Sequence, residues 1–214
     1  VTARGEAAEA SRRPAAPAER GFVPLIRFLI KNRMVSPRYL VLWLRYVWRF
    51  KVRNRHIVTH GMVFVARRAE VYCRRGLGHM ELGRWVWVGA GNALRCHEGF
   101  FRVGDKVVFG ANNTLNGYLD IDIGNDCIFA DWIYVTDFDH IYADPNVPIR
   151  RQGIVKSPVR IEADCWIGEK ATILRGVTVG RGSVVGAQTV VNRDVPPLSV
   201  VVGNPGRVVR RRGG

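Results

Sequence analysis

The chain has 214 residues, 47% of them hydrophobic, and its 33 Lys and Arg against 18 Asp and Glu give a net charge of +15. That length suits one domain with a buried core, with an appendage at most. A basic excess of this size points to nucleic acid, an anionic membrane or a phosphorylated ligand, and its distribution has to decide among them. The four cysteines, Cys73, Cys96, Cys127 and Cys165, form no C-x-x-C pair and no metal-ligand spacing, so no metal is expected. Buried free thiols in a reducing, cytoplasmic setting are the reading that fits them.

Residues 1–21 are largely Ala, Arg, Glu and Pro, with little to bury and no secretory h-region, and are expected to be a disordered leader. Residues 22–55 change character and read as a helical segment. Ser36 followed by Pro37 is a cap with a first-turn proline, a helix start. Leu40, Trp43, Leu44, Val47 and Trp48 form an apolar stripe, with Arg38, Arg45 and Arg49 around another face. A bilayer span needs about 20 apolar residues, and arginines interrupt this run long before that, so the segment does not cross a membrane. Two placements remain. Residues 22–50 could make peripheral contact with the inner face of an anionic membrane, or the helix could pack against the rest of the chain or a neighbouring subunit.

Residues 56–200 carry the fold. Ile161, Ile167, Ile173, Val179, Val185 and Val191 recur every sixth residue, and four positions after each comes Cys165, Ala171, Val177, Ser183, Thr189 or Val195. A period of six is neither helical nor a simple strand alternation; it reports a repeat architecture. The aliphatic points into a narrow core, the small residue sits near the bend, and Gly168, Gly180 and Gly186 are expected to relieve the backbone there. This is a mainly β fold, a parallel β-helix with three hexapeptides to a triangular coil. Weaker spacing precedes it: Val65, Val71, Leu77, then Leu82, Val88, Leu94, then Val103, Phe109, Leu115, then Ile123, Phe129, Val135. The slips between these sets read as corner insertions. Residues 136–160 break the period altogether and form a long ejected loop, the kind that usually carries function. Residues 201–214 form a basic tail.

His140 lies in that loop, and an imidazole can take a proton from a hydroxyl near neutral pH; a solvated loop histidine is the plainer alternative. Seven of the acids, Asp120, Asp122, Asp126, Asp131, Asp137, Asp139 and Asp144, cluster around it. They would either line a cleft suited to a neutral polyhydroxylated acceptor or cap corner amides. Asp137, Asp139 or Asp144 could orient the imidazole, and the sequence does not choose among them. Arg193, Arg207, Arg210, Arg211 and Arg212 follow the last repeats. They suit a ligand with several phosphates, or form a solvated tail that blocks an open sheet edge.

The run VRIEADCWIGEKATILRGVTVGRGSVVGAQTVVNRDVPPLSVVVGNPGRVV strongly resembles the hexapeptide-repeat acetyltransferases of the galactoside, maltose and colanic-acid type, and the upstream T-x-x-x-H loop ending in Asp144-Pro145 resembles their catalytic loop. The resemblance covers about residues 82–210. It implies a left-handed β-helix, a homotrimer with sites between subunits, and an acyl-CoA donor. It further implies that His140 is the general base and the backbone N–H of Glu169 the oxyanion donor. Trp166 would wall the cleft, and Asn112 or Asn113 would contact the acceptor, with Asp144 nearby. Ala187 would bond the pantetheine arm beside Asn192, and Arg193, Arg207 and Arg210 would meet the CoA phosphates. The acyl group would be acetyl, or succinyl if Arg150, Arg151 and Lys156 widen the donor site. The acceptor would be a hydroxyl of a sugar, glycolipid or polysaccharide.

Three other classes compete. A trimeric, non-catalytic binding or membrane-docked scaffold would leave His140 idle. A γ-type carbonic anhydrase shares the coil but needs three histidines around zinc, and only His140 stands near the matching coils. Nucleic acid is disfavoured as a partner because the aromatics fall in the helix and coil core rather than on a stacking platform.

Overall fold

In a computed structural model, residues 37–213 are described; the leader and residues 22–36 of the helical segment lie outside them. The chain forms a left-handed parallel β-helix whose three faces are parallel sheets. The first face stacks strands Val58–Thr59, Gly78–Leu82, Gly99–Val103, Asp120–Ile123, Val159–Ile161 and Thr178–Val179. The second face runs from Val63–Val65 to Ser199–Val202, and the third from Glu70–Cys73 to Val190–Val191.

The six-residue period becomes three vertical columns of buried side chains. Leu82, Val103, Ile123, Ile161 and Val179 are in register on the first face. Val65, Val88, Phe109, Phe129, Ile167, Val185 and Val201 stack on the second. Val71, Leu94, Leu115, Val135, Ile173 and Val191 stack on the third. Burying each such side chain contributes about 1.5–3 kcal/mol, which is why the register is so strictly kept. Leu77, which the weak spacing placed in this series, is exposed at a corner instead.

Every slip in the sequence falls at one edge. From the first face to the second, and from the second to the third, successive column residues are always six apart; only the corner between third and first faces varies. Residues 74–77, 97–98, 118–119 and the long loop all leave the prism there. The architecture thus has two fixed edges and one that accepts insertions.

The corner glycines act differently from expectation. Gly168 does not have a positive φ; at the two fixed edges the left-handed residue comes three after the aliphatic, as at Lys170 (φ 56°) and Gln188 (φ 58°). A Cβ on Gly168 would lie 2.7 Å from the backbone nitrogen of Ala187 in the next coil. Glycine is required there by the close approach of two coils, not by backbone torsion.

Helix α1 (Pro37–Tyr46) begins where the sequence predicted and widens into a π-helical segment, Val47–Arg53. It packs on the first coil: Tyr39 meets Phe64 edge-on at 6.1 Å, the Tyr46 and Thr59 hydroxyls are 3.0 Å apart, and Leu42 and Phe50 are buried. The predicted stripe is not the packed face. Leu40, Trp43, Leu44 and Trp48 stay 43–58% exposed. At the far end, the tail doubles back, with Arg207–Arg211 pairing antiparallel to Ser199–Val202 and covering the open edge of the second face. The expected boundary at residue 200 therefore falls inside a strand. All four cysteines are free and buried, and burial pushes the Cys96 thiol up to about 12.

Candidate active site

The long loop is an ordered arm. Phe138–His140 pairs antiparallel with Ile154–Lys156, and a single helical turn, α2 (Ile149–Gln152), closes the tip. Two ion pairs hold its base to the prism: Arg175 with Asp139 at 2.6 Å, and Lys156 with Glu98. The Lys156 ammonium also lies 5.7 Å from the Tyr118 ring centre. His140 stands exposed on this arm, and its imidazole makes no hydrogen bond among the described residues. Its ring meets Phe138 edge-on at 6.2 Å.

The seven acids do not line a cleft. Asp137 is fully buried and accepts the backbone N–H groups of Tyr118, Leu119 and Asp120, each at 2.8 Å. It closes the corner one coil below and does not reach the imidazole. Asp139 is taken by Arg175, and Asp144 accepts the N–H of Asn146 in its own turn. Asp120 and Asp122 pair with Arg102 on the first face, where Glu81, Arg102, Asp122 and Arg160 alternate in sign up the stack. Asp126 faces Lys106 at 3.8 Å, and Asp131 caps Ala111 at 2.6 Å. Capping of backbone N–H groups, the plainer role, accounts for Asp131, Asp137 and Asp144, and ion pairs for the other four. None of the three candidates for orienting His140 is bonded to it.

Asn113 is also internal. Its amide accepts the Ile133 N–H and donates to the Ala130 carbonyl, forming a buried ladder with Asn92, so it cannot meet an acceptor. Asn112, at the corner with φ 58°, remains partly open. Sequence reasoning passed over Asn116. Its side-chain oxygen is buried with no partner among the described residues, and it sits in register with Thr136, where the arm departs.

The remaining candidates gather on the last two coils. Trp166 is 53% exposed on the second face, and the corner that follows carries Glu169. In this corner position a carboxylate from the next coil can cap the N–H, as Asp131 does for Ala111. The same device recurs one edge away, where Asp105 caps Arg84 and Asn125 caps Asp105. Above Glu169 stands Ala187, which has no side-chain oxygen to offer, and the Glu169 N–H has no acceptor among the described residues. The turn at residues 203–206 is bonded to Val190 from both sides, with Arg207 opposite Val202 beside it, while Asn192 and Arg193 follow Val191 at the next corner. Ala187, Asn192, Arg193, Arg207 and Arg210 are all exposed there. They can offer backbone N–H groups and guanidinium forks to a phosphorylated ligand.

His140 and Glu169 occupy different edges. Glu169 lies between second and third faces, and the His140 arm leaves between third and first. One prism face, roughly 15–20 Å at strand rise, separates them in a single chain. Among the described residues no three His, Cys, Asp or Glu side chains converge as metal ligands, and no helix is long and apolar enough to cross a membrane.

Residues 158–193 match the bacterial transferase hexapeptide family (six repeats). The chain is 48% identical over 187 residues, 87% of its length, to the probable acetyltransferase Rv3034c of Mycobacterium tuberculosis, and spans 62% of that protein. By structure it is similar to AntD, an N-acyltransferase of Bacillus cereus solved with dTDP and 3-hydroxybutyryl-CoA (TM-score 0.65, 19% identity, 77% of this chain and 88% of that one). It is likewise similar to a maltose O-acetyltransferase of Clostridium difficile (TM-score 0.51, 24% identity, 87% and 89%). Repeats, coil and relatives agree that the chain carries bacterial transferase hexapeptide repeats on their β-helix and is similar, over most of its own length, to a probable acetyltransferase.

Proposed function

We propose that the chain moves an acetyl group from acetyl-CoA to a hydroxyl of a sugar, glycolipid or polysaccharide, working as a cytoplasmic homotrimer with sites between subunits. The observation that carries this reading is the uncapped Glu169 N–H on one edge and the unpartnered His140 on another. Neither half is a site alone. A cyclic trimer sets the arm of one protomer against the Glu169 edge of the next, because a head-to-tail contact with three-fold closure joins unlike edges. The name of the M. tuberculosis relative supports acetyl as the group moved. Arg150 and Arg151, exposed at the arm's tip, are the groups a succinyl donor would use, whereas Lys156 is engaged by Glu98.

The reaction is direct. His140 takes the hydroxyl proton as that oxygen attacks the thioester carbon, and the carbonyl oxygen becomes an anion held by the Glu169 N–H. The tetrahedral species collapses, the carbon–sulfur bond breaks, and protonated His140 returns its proton to the CoA thiolate. One preorganised donor of this kind is worth about 2.7–4 kcal/mol. No cysteine takes part, since all four are buried. Peripheral membrane contact through residues 22–50 accompanies this reading, supported by the exposed stripe of α1.

The test is to incubate the chain with acetyl-CoA and a panel of sugars and cell-envelope glycans, following free CoA thiol and acetylated product by mass spectrometry. Acceptor-dependent CoA release with an ester product is expected. Release no faster than buffer for every acceptor, with acetyl-CoA unbound, would favour the scaffold reading.

A further inference from the structure

The positive charge is not spread evenly. Residues 21–69 hold eleven Lys and Arg and no Asp or Glu, while the rest of the chain is close to balanced. Within that stretch a groove of about 580 Å³ opens between the π-helical segment and the first coil. Its walls include Arg45, Arg49, Arg53, Arg67 and Arg68, with Trp48 on the rim. The only acid among the lining residues is Glu70, and its carboxylate is bonded to Arg95 at 2.7 Å. Arg49 donates to the Ala69 carbonyl at 2.7 Å, and burial together with Arg53 and Arg45 pushes its guanidinium below the usual range. Arg53 lies over the Trp48 ring at 5.5 Å. Five guanidinium groups thus face a hollow that the acids among the described residues leave unneutralised.

Beside the groove, Leu40, Trp43, Leu44, Trp48 and Val52 form an exposed apolar face. Apolar side chains with tryptophan next to clustered arginine are the two halves of an interfacial anchor: one enters the acyl boundary, the other meets head groups.

We propose that this groove binds the phosphate head group of an anionic phospholipid when the exposed face of α1 lies on a bilayer. The proposal rests on the membrane contact offered above and gives it a ligand and a site. It also orients the prism. Tyr72, at the groove's edge, begins a column of rings up the variable edge: Tyr72–His97 at 5.7 Å, His97–Tyr118 at 4.6 Å, Tyr118–Phe138 at 4.5 Å, and Phe138–His140 at 6.2 Å. A head group seated in the groove therefore lies under the third face, between the edge whose lowest corner is Arg67 and Arg68 and which carries Glu169 higher up, and the edge of the ring column, about three coil spacings or roughly 14 Å below Phe138. A glycan attached to a neighbouring lipid could span that distance.

Flotation of the full chain with vesicles tests the site. Binding is expected to phosphatidylcholine vesicles containing phosphatidylglycerol, not to phosphatidylcholine alone, and to fall steeply as salt rises. Arg45→Gln, Arg53→Gln and Arg67→Gln together, sparing Arg49 because it holds the Ala69 carbonyl, should weaken binding on the order of a hundredfold. Circular dichroism and thermal unfolding check the fold of that variant. If it fails to fold, Arg67→Gln alone, in an exposed corner, should weaken binding about fivefold. Equal binding to both vesicle types, wild-type binding by the folded variants, or no vesicle binding while inorganic phosphate alone stabilises the chain would each overturn the proposal. So would self-association that buries the α1 face without lipid. Wild-type CoA release with a soluble sugar, measured without vesicles, reports the acyl-transfer reading separately, so either can fail while the other stands.

Discussion

Replacing His140 by alanine is expected to lower turnover about a thousandfold, the middle of the range that general-base catalysis supplies, while fold and assembly remain intact. The structural half of that expectation follows from the surroundings of the ring. It is exposed, and nothing among the described residues hydrogen-bonds to it. Surface substitutions of this kind usually change stability by no more than about 0.5 kcal/mol. The arm itself is held by its hairpin and by the Arg175–Asp139 and Lys156–Glu98 pairs, none of which the substitution touches. Steady-state turnover, thermal unfolding and oligomer mass should be measured on one preparation. Near-normal turnover would remove His140 from the mechanism. A lost assembly with parallel loss of activity would make its role structural.

Ala187→Asp should cost about a hundredfold in turnover without a carboxylate ever touching the acceptor. The reason is the corner rule of this prism. Asp131 caps the Ala111 N–H from the coil above it, and Ala187 stands in the same relation to Glu169. An aspartate at 187 would fold onto the Glu169 N–H and occupy the donor that the oxyanion needs. Ala187 is exposed, so room for the side chain is available. The kinetic signature separates two roles. A fall in kcat with acetyl-CoA affinity kept identifies the N–H as the oxyanion donor, whereas a rise in KM at constant kcat would confine position 187 to holding the pantetheine arm.

The core was legible in the sequence because burial in a β-helix obeys a local period. Ile161, Ile167 and Ile173 announce three faces in thirteen residues, and all three are buried in the columns expected of them. Leu77 misled because a corner insertion can place a leucine at the right spacing with no coil wall behind it. The polar residues were harder, because their roles depend on what the adjacent coil presents. Asp137 and Asp139 are two residues apart, yet one is buried under three amides and the other salt-bridged to Arg175 thirty-six residues on. Asn112 and Asn113 are neighbours, yet only the second turns into the ladder begun by Asn92. The openness of the Glu169 N–H depends on a residue eighteen positions away, and the stacking of Ala187 over it is visible only once the coils are superposed. The stripe of α1 misled for another reason: Leu40, Trp43 and Leu44 share one side of the regular helix, but Tyr39, Leu42 and Tyr46 on another side meet the first coil, and spacing alone does not say which of two apolar sides is covered.

A crystal structure of the assembled protein with acetyl-CoA tests the central claim most directly. The thioester carbonyl is expected in a groove between two protomers, its oxygen about 3 Å from the Glu169 nitrogen of one, with His140 of the other facing the carbonyl carbon and Arg193, Arg207 and Arg210 near the phosphates. A donor bound away from that groove, or an imidazole turned from every inter-subunit face, would contradict it.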